Sequence, residues 1–137
     1  MIRQAEDFIP ILKSLVTIYY LEDNKEIAKN YETAIGLLYQ SPKITLSLLE
    51  ELIGIKDEVR QSLIAIYHEG TCKPYQDYLP KWGYLLPLTT VKGIGPTKAK
   101  LLANKDITDL DTVKQLVQEQ HASGKSLTKV IDDYLKK

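Results

Sequence analysis

Cysteine is all but missing from this 137-residue chain, in which Cys72 stands alone. One thiol cannot close a disulfide within the chain, so a reducing, intracellular compartment is the expectation. His68 and His121 are the only histidines, distant from each other, and no second thiol exists to join them. That excludes a structural zinc site of four Cys and His ligands. Long apolar runs are also missing. The most apolar stretch, 8–21, is broken by Pro10 and Lys13 and falls short of the about 20 residues that a membrane span takes. Glu6 and Asp7 precede it, where a signal peptide carries positive charge, so no membrane partner is expected. Net charge is absent as well, with 18 Lys and Arg against 18 Asp and Glu. Bulk positive charge therefore cannot drive nucleic-acid binding, and any such site must be a local patch. Phe and Trp occur once each, against nine Tyr.

What the chain does have is helical periodicity. Its 44% hydrophobic and 26% charged residues make a globular composition. Ile9, Leu12, Leu15, Val16 and Tyr19 fall on one helix face by the i, i+3, i+4, i+7 rule. Asn24 is placed to cap a second helix carrying Ile27, Ala28, Tyr31, Ala34, Ile35 and Leu38, which ends near Ser41 and Pro42. A short helix through Leu46, Leu49 and Leu52 stops at Gly54, and another spans about 57–68 before Gly70. Pro74, Pro80, Gly83 and Pro87 then punctuate the chain. A short helix into Val91, a helix over about 96–103 and two more ending at Tyr134 complete the reading. No period-2 strand is evident. The expectation is an all-α fold of two small lobes, 1–73 and 88–137, joined by a connector over 74–87.

One faint repeat runs through the chain: Leu52-Ile53-Gly54-Ile55-Lys56 before a helix echoes Val91-Lys92-Gly93-Ile94-Gly95 before another. The second copy carries the chemistry. Glycines on either side of Ile94 permit a tight reversal, because glycine tolerates positive φ. Pro96 suits a first helical position, where its missing N–H is not needed. The amides of Gly93, Gly95, Thr97 and Lys98 would then lie unpaired at a helix N-terminus, an arrangement suited to a phosphate oxygen. Lys92, Lys98 and Lys100 surround it. Residues 88–106 hold four Lys and one Asp, or +3 in a chain whose total is zero. Gly95 is expected to need a conformation that a Cβ resists.

The run Val91-Lys92-Gly93-Ile94-Gly95-Pro96-Thr97-Lys98-Ala99 resembles a helix-hairpin-helix motif. The resemblance extends over about 27–134, through Asn30-Tyr31, Ser41-Pro42, Leu52 to Ile55, Glu69-Gly70 and Asp106 to Asp111. That order is similar to the N-terminal lyase subdomain plus the fingers subdomain of family X DNA polymerases, the polymerase beta group of DNA repair and replication. The resemblance implies a degenerate first hairpin and a well-formed second one. Each would grip DNA through backbone amides, here those around Gly54, Lys56 and Gly93 to Lys100. It also implies a monovalent cation, Na+ or K+, held by the carbonyls of Thr89, Val91 and Ile94, with Leu52 and Ile55 as counterparts at the first hairpin.

The departures matter as much. The family's Schiff-base lysine falls here on Ser62, its supporting lysine on Glu58, and its basic pair on Glu26 and Ile27; Tyr31 and Lys73 match. No palm carboxylates are present to bind catalytic metals. Loss of the second glycine to Lys56 is expected to alter the first turn. The reading is a protein that binds DNA phosphates without sequence specificity, needs no cofactor and is not an enzyme. Two alternatives stand beside it: an abasic-site lyase using a displaced lysine such as Lys56 or Lys73, and an adaptor bringing a polymerase or nuclease to DNA.

Other features carry blander expectations. Asp106, Asp109 and Asp111 suggest acidic support for a helix start, with Thr108 as its cap, rather than a metal cluster. Gly124-Lys125-Ser126 lacks the first glycine of a P-loop, since Glu119 stands there. His68 and His121 are expected at the surface. Tyr19, Tyr20, Tyr75, Tyr78, Trp82 and Tyr84 are read mainly as packing groups, with Trp82 and Tyr84 as the exposed pair able to stack on bases.

Overall fold

A computed structural model describes residues 2–136. Its described residues form eight α-helices and no strand, an all-α fold. The helices are α1 (Ile9–Leu21), α2 (Lys25–Tyr39), α3 (Leu46–Glu51), α4 (Asp57–Glu69), α5 (Lys73–Trp82), α6 (Pro96–Asn104), α7 (Leu110–Ser123) and α8 (Leu127–Leu135). The chain divides into two compact units, Met1–Trp82 and Gly83–Lys137.

In the first unit α1 and α2 pack as a hairpin. Asn24 accepts the Ile27 amide at 3.3 Å and so caps α2, as its position predicts. Leu12, Leu15 and Ile18 of α1 meet Ala28, Tyr31, Ala34 and Leu38 of α2, all fully buried. Burying each large side chain contributes about 1.5–3 kcal/mol, which is what holds these short helices together. Val59, Leu63 and Ile66 of α4 close the core. Arg3 pairs with Ile44 as an isolated antiparallel bridge and donates from Nε to the Tyr67 carbonyl at 3.1 Å, tying the start of the chain to the end of α4.

Residues 74–82, expected to be connector, instead belong to α5. Pro74 sits where a helix tolerates it, in the first turn, whose amides have no helical partner, while Pro80 lies inside the helix and withholds one amide from it. The helix is held from outside. Tyr78 packs edge-on to Tyr19 with centroids 5.7 Å apart, and both Lys81 and the Trp82 indole donate to Glu22 at 2.8 Å. Trp82 is therefore half-buried on Glu22 rather than exposed, whereas Tyr84 is exposed.

The second unit begins with two 3-10 turns, Gly83–Leu85 and Leu88–Thr90, the latter standing where a short helix into Val91 was expected. Leu85, Leu88, Ile94, Ala99, Leu102, Val113 and Ile131 form its core. Asp109, not Thr108, caps α7, accepting the Thr112 amide at 3.0 Å. Gly124 ends that helix in the left-handed region at φ 73°, and Ser126 caps α8.

Candidate functional site

The faint repeat is realised as two corners with the same backbone course. Leu52 (φ −60°, ψ 133°) and Val91 (φ −73°, ψ 129°) leave their helical turns in extended conformation. Gly54 and Gly93 then turn the chain at φ 96° and 92°. Lys56 (φ −76°, ψ 158°) and Gly95 (φ −95°, ψ −174°) enter α4 and α6, again extended. Two expectations are corrected here. Losing the second glycine does not alter the first turn, because the position occupied by Lys56 has dihedrals that any residue adopts. For the same reason Gly95 needs no special conformation. The glycine requirement rests on Gly54 and Gly93, whose positive φ penalises any Cβ.

At the second corner the Ile94 amide donates to the Val91 carbonyl at 3.0 Å, and the buried Ile94 side chain anchors the turn in the core. Ala99 N–H bonds the Gly95 carbonyl at 2.9 Å, which starts α6. Among the described residues, no acceptor takes the amides of Gly93, Gly95, Thr97 or Lys98. These amides carry the partial positive charge of the α6 N-terminus. Lys92, Thr97 and Lys98 are exposed beside them, while Lys100 is half-buried and engaged within the chain. A Cβ built on Gly95 meets nothing within 4 Å, so the space over this backbone is open.

The first corner has the same shape but is reached by side chains from neighbouring helices. Asn30 of α2 donates from Nδ2 to the Gly54 carbonyl at 3.2 Å and accepts the Lys56 amide at 2.8 Å through Oδ1. The Lys56 ammonium pairs with Glu26, holding that carboxyl below its usual range. Arg60 of α4 donates to the carbonyls of Leu49 at 2.6 Å and Leu52 at 2.7 Å. The Gly54 carbonyl and the Lys56 amide and ammonium are thus engaged within the chain, whereas the amides of Gly54, Glu58 and Val59 take no acceptor among the described residues. The Leu52 carbonyl, expected to face a cation, faces a guanidinium instead. This pairing was not legible in the sequence, because Asn30 and Lys56 lie 26 residues apart and no local pattern joins them.

Ser62, at the position expected for a lyase lysine, is 3% exposed and lies 2.7 Å from the Tyr31 hydroxyl. It lines a cavity of about 650 Å³ with Tyr19, Glu58, Cys72, Lys73 and Tyr78. Burial, reinforced by the nearby Glu58 carboxylate, pushes the Tyr19 phenol up to about 12. Burial likewise raises the Tyr31 phenol and the Cys72 thiol. Glu58 and Asp77 face this cavity against Lys73, a poor balance for an anion. Among the described residues no three His, Cys, Asp or Glu side chains gather as a metal site, Asp106, Asp109 and Asp111 included. His68 and His121 are exposed in the last turns of α4 and α7. No described helix is long and apolar enough to cross a membrane. No protein-family model, curated protein or solved structure matches the chain.

Proposed function

We propose that the protein binds DNA without sequence specificity, as a helix-hairpin-helix module whose second corner holds a backbone phosphate. The observation that carries this reading is the cluster of four unpartnered amides at Gly93, Gly95, Thr97 and Lys98, beneath open space and beside Lys92 and Lys98. Main-chain amides at a helix start suit a phosphate oxygen and carry no base information, so the binding they support is positional rather than specific. A monovalent cation on the carbonyls of Thr89, Val91 and Ile94 is part of the same proposal. The Val91 oxygen keeps a lone pair beyond the one that takes the Ile94 amide.

Two variants separate backbone from side-chain chemistry. Gly95→Val has an unstrained φ and no steric neighbour, so it folds as the parent does while its branched Cβ covers the amides. Its DNA affinity drops at least tenfold at every salt concentration. Replacing Lys92 and Lys98 together by Ala flattens the slope of log K against log salt by about two units, at about 0.9 per phosphate neutralised. Fluorescence anisotropy on single-stranded, nicked, gapped and duplex DNA measures both. Parent-like binding by folded Gly95→Val makes the corner a purely structural turn and removes the proposal's support.

A further inference from the structure

The two corners share one backbone course, yet only at the first does a side chain from another helix take the amide that enters the following helix. At the first, the Asn30 carboxamide bridges the turn, taking the Lys56 amide at 2.8 Å and donating to the Gly54 carbonyl at 3.2 Å. Glu26, one turn before Asn30 on α2, holds the Lys56 ammonium. From the other side the Arg60 guanidinium covers the Leu49 and Leu52 carbonyls at the end of α3. The turn thus carries a carboxamide oxygen on the Lys56 amide, a carboxylate on its ammonium and a guanidinium on the carbonyls that precede it. With the repeats aligned, Arg60 corresponds to Ala99, which is fully buried and carries no polar group. Among the described residues, no side-chain hydrogen bond bridges the second corner as Asn30 bridges the first.

We propose that Asn30 is the residue that decides how many corners of this protein can grip phosphate. It acts by serving as the first corner's own ligand, with Arg60 closing the opposite side. This rests on the phosphate reading of the second corner, and it confines binding to residues 93–98. A phosphate oxygen reaches the Lys56 amide only by displacing the Asn30 carboxamide that already occupies it. Asn30 lies on the α2 surface, half-buried, and its loss removes no core volume.

The test follows the backbone amides of the full-length chain by NMR during titration with inorganic phosphate and with a short DNA duplex. In the parent protein the amides of Gly93, Gly95, Thr97 and Lys98 move and those of Gly54 and Lys56 do not. In Asn30→Ala the Lys56 amide exchanges with solvent at least tenfold faster and moves on titration. The DNA salt slope then steepens by about one unit, the value of one added phosphate contact. Asn30→Asp keeps the acceptor for Lys56 and adds negative charge, so it stays closed and unresponsive. Movement of Gly54 and Lys56 in the parent overturns the proposal, and so does a Lys56 amide that stays protected in Asn30→Ala. Faster Lys56 exchange in Asn30→Ala with no movement of residues 93–98 in any titration defeats the DNA reading while the closure stands.

Discussion

Ser62 and Tyr31 show how one buried hydroxyl pair does structural work at a position where chemistry was sought. Ser62 donates back to the Glu58 carbonyl at 3.3 Å, which leaves it to accept from Tyr31 at 2.7 Å. Ser62→Ala strands the buried Tyr31 hydroxyl and costs about 1–3 kcal/mol, whereas Ser62→Ala with Tyr31→Phe costs less than the sum of the single changes. Urea denaturation of the three variants measures this. Tyr19 supplies a pH dependence. Its phenol titrates near 10.0 in the unfolded chain and near 12 when folded, so folding favours the protonated form. The associated stability is complete below pH 10 and is lost as pH climbs toward 12. Melting temperature is therefore expected to hold between pH 7 and pH 9 and fall above 10, and Tyr19→Phe lessens that fall.

Among the elements, the two corners divide the roles of their glycines. Gly93, at φ 92°, holds a left-handed conformation that a Cβ resists, so Gly93→Ala costs about 1–2 kcal/mol. Gly95 is extended, and Gly95→Ala changes stability by less than about 0.5 kcal/mol. Thermal melts of the two variants distinguish them, and equal losses would show that the turn does not have this backbone course. The spacing of glycines marked both corners in the sequence, but it did not rank them. It also suggested that the second glycine mattered to both turns, when Lys56 occupies that place without strain. Helix α5 was hidden for a related reason. Pro74 and Pro80 read as breakers, yet Pro74 falls in the first turn and the helix continues through Pro80 because Tyr19 of α1 and Glu22, just after it, hold it in place.

For the whole molecule, the question is whether any lysine acts as an amine nucleophile. Lys73 lines the cavity beside Ser62, but it is exposed and shares that wall with Glu58 and Asp77. Lys56 is paired with Glu26. Borohydride treatment on abasic-site DNA is accordingly expected to leave no covalent adduct. An adduct mapped to Lys73 would establish the lyase alternative and place the chemistry in the first unit.

The amino-acid order by itself determined the all-helical class, since apolar spacing of 3.6 residues and the cap at Asn24 are local signals read within a few residues of the helix they shape. It also determined that positive charge collects over 88–106. Only the tertiary structure decided what each corner has left to offer. Hydrogen-bonding capacity depends on which distant groups arrive, and Asn30 reaches Gly54 and Lys56 from another helix across 24 and 26 residues of chain. Two turns with a similar sequence and dihedrals thus end with different partners. The difference lies in the neighbours that α2 and α4 bring to one and that the second corner does not have.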